Sequence, residues 1–141
     1  MIQRAYFIVF ALCCAAMLAA CDNTSSKIRG EWHHVKEVTD ANKNGKLDAA
    51  DPVADLTGED LFIIFNSTGT LIVAYNGTTN ADNPAENKWS IEKGDYLKIA
   101  NKTDSSSSIT CLHIDEITSK RVTLRDTTGG ITTWNVWERR E

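Results

Sequence analysis

The chain has 141 residues, a formal net charge of −4, 42% hydrophobic residues and only two prolines. The length suits one domain with one core. The acidic balance argues against a nucleic-acid partner, and four cysteines, two of them within the first twenty residues, leave no disulfide framework to read.

The first twenty residues read as an address. Arg4 supplies a positive start, and residues 5–17 are apolar but too short to span a bilayer comfortably, which takes about 20 residues. Leu18-Ala19-Ala20-Cys21 follows and resembles the lipobox of bacterial lipoproteins. In that family the peptide is cut before the cysteine, which then carries fatty acyl groups of the palmitate type. The resemblance implies a signal peptide over 1–20, lipidation at Cys21 and a tether over 21–27. It also implies a membrane anchor without a span, in a bacterial cell envelope, on the periplasmic face of the outer membrane or at the cell surface. Loss of Arg4 with the signal takes the net charge from −4 to −5. Cys111 is then the one free thiol, and its apolar run predicts a buried small hydrophobe.

Residues 28–141 read as strands and turns. The stretch over 31–38 alternates like a first strand, with Val35 and Val38 β-branched. Then comes Asp40-Ala41-Asn42-Lys43-Asn44-Gly45-Lys46-Leu47-Asp48-Ala49-Ala50-Asp51. Its spacing matches an EF-hand calcium loop. Asp40, Asn42 and Asn44 hold positions 1, 3 and 5, and Gly45 takes the sharp turn. Lys46 offers its backbone carbonyl, Asp48 sits at position 9 and Asp51 closes the ring. Leu47 is placed to anchor the loop to a core. The flanks are unlike an EF-hand, and Asp48 with Pro52 predicts one short helix over 48–55. A single loop with three carboxylates implies a weak structural calcium site.

Further strands are predicted at 60–65, at 70–75, around Trp89 and Ile91, around Leu97 and Ile99, at 109–117, around Val122 and Leu124, and at 131–139. Strands at 60–65 and 70–75 are apolar on both faces, so an outer cover is required. The calcium loop and its helix are the natural cover, or a dimer contact. Eight strands joined by hairpins predict an all-β, eight-stranded antiparallel up-and-down barrel.

Gly30-Glu31-Trp32 followed by this meander resembles the start of lipocalins. More closely, residues 28–141 look like the lipocalin-like domain of Bacteroides-type lipoproteins. The Phe65, Gly69, Thr70 hairpin, the Trp89, Ile91, Gly94, Asp95, Leu97 hairpin and the strand over 117–124 carry that resemblance. It implies that Trp32 packs across a closed barrel end beside Gly30 and under Arg139 or Arg140. The late Thr-Asp-Tyr signature of lipocalins is absent. Trp89, Trp134 and Trp137 are candidates to line a pocket.

Little else speaks of chemistry. His33 and His34 point to opposite faces of a strand and cannot jointly grip a metal. Residues 105–108 lack a nucleophile elbow, and Asp115 and Glu116 face opposite ways. No enzyme is expected. The expectation is a membrane-anchored barrel with a structural calcium that binds a small hydrophobic ligand. The alternative is a side-chain-filled barrel that presents a surface to a protein or glycan, favoured if apolar residues around Phe62 and Ile64 are exposed.

Overall fold

The computed structural model describes residues 23–76, 78–79, 87–102 and 107–141. The expected signal peptide and the lipobox-like residues with Cys21 lie outside the described residues, as do residues 77, 80–86 and 103–106.

The described chain begins with a short helix, α1 (Asn23–Ile28), over most of the segment read as a tether. Ten strands follow: β1 (Gly30–Thr39), β2 (Val53–Asp55), β3 (Leu61–Phe65), β4 (Leu71–Tyr75), β5 (Thr78–Thr79), β6 (Asn87–Glu92), β7 (Tyr96–Lys102), β8 (Ser107–Ile117), β9 (Arg121–Asp126) and β10 (Thr133–Arg139). All pairings are antiparallel, in the order β5-β4-β3-β1-β10-β9-β8-β7-β6, with β2 added to β1. Eight of these strands form a nearly closed up-and-down barrel, and β2 and β5 are short accessories. Closure between β4 and β6 rests on a single bridge, Thr70 to Lys88, and on Trp89 N donating to Gly69 O at 2.9 Å.

Strand alternation sorts the side chains, since successive residues face opposite sides of a sheet. Trp32, Phe65, Leu71, Leu97, Ile114 and Val122 fill one end of the barrel and are buried there with Ile28. Two bulges shift the alternation. In β1 the pairing with β10 skips between His34 and Lys36, and in β8 the pairing with β9 skips between Ile114 and Glu116. Each bulge turns one extra residue outward, so Glu37 and Asn135 pair on the inner face.

The filled end is locked by Arg139. Its guanidinium carbon lies 4.1 Å from the Trp32 ring centroid. Its nitrogens donate to the carbonyls of Ser119 (2.6 Å), Arg29 (2.8 Å) and Lys27 (2.6 Å). Trp32 Nε1 donates to Ile28 O at 2.7 Å, which ties α1 to the same ring. Gly30 adopts φ +121, and a Cβ there would run into the Arg139 guanidinium. A glycine is required on both counts.

Three expectations are corrected. The helix expected over 48–55 is a turn followed by β2. Pro52 disfavours helix at Asp51, its carbonyl accepts from Thr39 N at 3.1 Å, and residues 53–55 pair with β1. Cys111 is exposed rather than buried, because it alternates with the inward Leu112 and pairs with the outward Lys98. Leu47 does not anchor the loop; it is 53% exposed.

Arg139→Ala is expected to cost about 3 kcal/mol, through the lost cation–π contact and charge-assisted hydrogen bonds. Gly30→Ala should lower the melting temperature as well. Arg139→Lys should recover less than half of the loss, because one ammonium cannot meet three carbonyls and a ring together. Thermal unfolding of the three variants checks this.

Candidate ligand cavity and calcium-type loop

Above the filled end the barrel is hollow. A cavity of about 590 Å³ is lined from all eight barrel strands. Its lower wall is apolar, with Leu61, Ile63, Leu71, Val73, Ile99, Leu112 and Leu124. Towards the mouth come Asn87, Asn101, Thr110, Asp126 and Asn135. Among the described residues no lysine or arginine lines it. The gradient follows from chain position: on β6, β7, β8 and β9 the inward residues near the Trp32 end are apolar and those at the other end are Asn87, Asn101, Thr110 and Asp126, whereas β3 stays apolar to Leu61.

Midway up the wall stand His34 and Trp137, stacked with ring centroids 4.3 Å apart. Both are buried, at 6% and 8% exposure. Neither His34 Nε2 nor Trp137 Nε1 has a hydrogen-bond partner. Buried polar atoms are rarely left so. Burial pushes the His34 pKa below its ordinary 6.5, while Glu37, Asn135 and the Lys36 backbone pull the other way and His33 adds to the lowering. The ring is therefore neutral at pH 7.

The three tryptophans expected at a pocket separate. Trp137 lines the cavity. Trp89 is core: it meets Phe65 edge-on at 5.4 Å and donates to Asn66 O at 3.1 Å. Trp134 lies outside the barrel, since it stands three residues from Trp137 on a strand of period two. Its indole donates to Asp115 Oδ2 at 2.8 Å. Asp115 Oδ1 also meets His113 Nδ1 (2.6 Å) and Arg125 Nε (3.1 Å), which makes an outer-surface network. His34, Asn87, Asn101 and Asn135 had no place in the expected pocket. Their signal was parity: His34 is two residues beyond Trp32, and Asn135 two before Trp137.

The Asp40–Asp51 segment forms a chain of Asx turns. Asp40 is 3% exposed and accepts from Asn44 N (3.1 Å) and Gly45 N (2.7 Å). Gly45 takes φ +72, the turn its position demands. Asn42 Oδ1 accepts from Asn44 N, and Asn44 Oδ1 from Lys46 N. Asp48 Oδ2 is met by the side-chain amides of Asn42 and Asn44 at 3.0 and 2.9 Å; these bonds, Asn44 first, hold its carboxyl below the usual range. Asp51 is 5% exposed, and its Oδ1 has no partner. A buried carboxylate oxygen without a partner is costly, while Asp51 Oδ2 accepts from Asp48 N at 3.0 Å. Among the described residues no three His, Cys, Asp or Glu side chains converge as a metal group, so amide and backbone oxygens would complete any shell.

The loop covers a different face from the one expected. Gly45, Lys46 and Leu47 share a cleft with Asp115, Glu116, Thr123, Arg125 and Trp134, on the outside of β8–β10. The outer face of β3 is covered otherwise: His33 stacks on Phe62 at 4.7 Å, and the Arg140 guanidinium lies 4.5 Å above the same ring.

No family model matches this chain, and neither does any curated protein or solved structure.

His34 sets a pH dependence. Its folded pKa lies below the unfolded 6.5, so the unfolded chain binds the proton first. Its contribution is full above pH 6.5 and is lost as the pH falls from there towards the folded pKa. The melting temperature should drop between pH 7.5 and 5.5, and the drop should shrink in His34→Gln. An equal drop in both proteins would remove His34 as the cause.

Proposed function

We propose that this chain is a lipid-anchored protein of a bacterial cell envelope whose lipocalin-like barrel binds one small hydrophobic ligand. The observation that carries this reading is the 590 Å³ cavity with walls from every barrel strand. A barrel of eight strands is just wide enough either to fill with side chains or to hold one small molecule. Here the large rings of Trp32, Phe65 and Trp89 gather at one end, and branched aliphatics line most of the lower wall above them. The cavity is within the range of small-molecule sites. Support for the anchor comes from the lipobox-like residues 18–21, with lipid on Cys21. α1 follows that position directly and sits at the filled end, which directs the mouth away from the membrane. The surface-module alternative loses its expected patch, because Phe62 and Ile64 are half-buried.

In the same proposal the Asp40–Asp51 loop holds a structural calcium ion. Asp40, Asn42, Asn44, the Lys46 carbonyl, Asp48 and Asp51 supply oxygens of the type calcium takes. The ion would neutralise the carboxylates and stiffen the loop that covers Trp134. The unpaired Asp51 oxygen supports this.

For the ligand, the full chain in nanodiscs is titrated with N-phenyl-1-naphthylamine, a neutral fluorescent probe, against empty nanodiscs. Saturable one-to-one binding is expected, and Leu112→Trp, which fills the cavity, should abolish it. Binding unchanged in Leu112→Trp would place the probe elsewhere and count against the carrier reading.

For calcium, the melting temperature is compared in chelator and in 10 mM calcium. A dissociation constant of about 10⁻⁴–10⁻³ M gives roughly 1.5–3 kcal/mol of stabilisation at that concentration, a rise of several degrees. Asp51→Asn should remove it. No rise in the unaltered chain would reduce the loop to hydrogen-bonded turns.

A further inference from the structure

The cavity's lining narrows the ligand's chemistry, and this inference rests on the carrier reading above. Two polar nitrogens are buried midway up its wall without partners, on rings stacked 4.3 Å apart. One is an obligate donor: indole Nε1–H can only give a hydrogen bond. The other belongs to an imidazole that also meets the Asn135 side chain and the Lys36 backbone; in the neutral form with its proton on Nδ1, His34 Nε2 is an acceptor. A group that satisfies both must accept one hydrogen bond and donate another. Both residues line the cavity, so a polar group bound in it can supply the partners that the two nitrogens lack.

The charges around the site exclude an anion. The formally charged residue in the lining is Asp126, and Glu37 lies near His34. No described lysine or arginine faces the space to compensate a buried carboxylate or phosphate. Desolvating an unpaired anion there is costly. A purely hydrocarbon ligand would leave both nitrogens unsatisfied.

We propose that His34 and Trp137 form a polar anchor that selects an uncharged, hydroxyl-bearing apolar ligand over a fatty acid or a plain hydrocarbon. The ligand O–H donates to His34 Nε2, and its oxygen accepts from Trp137 Nε1–H. The apolar body lies along Ile63, Val73, Ile99 and Leu112. The carbonyl-and-amide-rich mouth, with Asn87 and Asn101, is then left to water or to a second polar group.

The test uses three probes of one chain length: 1-octanol, octanoate at pH 8, and octane. The full chain, with its tryptophan indoles labelled with ¹⁵N, is titrated in nanodiscs, and the Trp137 indole N–H resonance is followed after assignment by Trp137→Phe. Octanol should shift that resonance in a saturable way and bind at least tenfold more tightly than octanoate. Octane should bind about fivefold more weakly than octanol. Trp137→Phe keeps an aromatic ring beside His34 but loses the donor, so it should bring octanol binding close to that of octane. Equal binding of all three, indifferent to Trp137→Phe, would overturn the anchor while leaving a carrier; an ordered water would then serve the two nitrogens. Tighter binding of octanoate than of octanol would also overturn it. Binding of none of the three, with no uptake of N-phenyl-1-naphthylamine either, would remove the carrier reading and the anchor together.

Discussion

The contact on which the barrel depends is the Arg139 guanidinium over the Trp32 ring. A guanidinium offers five donors in a plane and a face that stacks on aromatics. Here one side meets the indole, and the edge meets the carbonyls of Lys27, Arg29 and Ser119. Those carbonyls belong to the N-terminal entry and the β8–β9 turn, and Arg139 itself ends β10. Three separate parts of the chain therefore converge on one cation. β1 and β10 are the first and last barrel strands, so this is also where the meander closes on itself.

A sealed end makes the rest of the interior a cup. With Trp32, Phe65, Leu97 and Val122 packed at the bottom, the interior is apolar below and increasingly polar above. The bulge in β1 matters here. It places Val35 and Lys36 together on an outer cleft and returns Glu37 and Asn135 to the inner face. Without it, Val38 would point into the mouth, whereas Trp134 faces outward by its place on β10. With it they form an outer apolar patch, and the Asp40–Asp51 loop leans across that patch. The loop and the cavity thus sit on opposite sides of the same strands, β9 and β10. Cation occupancy of the proposed calcium site bears on one wall of the cup.

The eight barrel strands were legible because each carries its own period-two signal, bounded by Asn-, Gly- or Ser-rich turns. Leu61-Phe62-Ile63-Ile64-Phe65 needs no distant information to be extended. The Gly30, Trp32 and Arg139 association was also readable, though only through resemblance, since 107 residues separate Trp32 from Arg139. The alternation of oxygen-bearing side chains around Gly45 announced a turn-rich loop. Local patterns failed where a partner strand decides the outcome. Residues 53–55 became a strand because β1 had a free edge beside them. Cys111 sits in an apolar run, yet faces solvent because Leu112 and Ile114 took the inward side.

By itself, then, the amino-acid sequence determined the all-β character, the number of barrel strands, the turn positions and the oxygen-rich loop. Each of these arises from residues close together in the chain. Only the tertiary structure decided which tryptophan lines the cavity, that the barrel is filled at one end and hollow at the other, and that the loop covers β8–β10. It also decided that His34 and Trp137 stand together with their nitrogens unpaired. These outcomes depend on register between strands and on two bulges. A one-residue shift in register carries every side chain of a strand to the other face, and no short stretch of sequence specifies it.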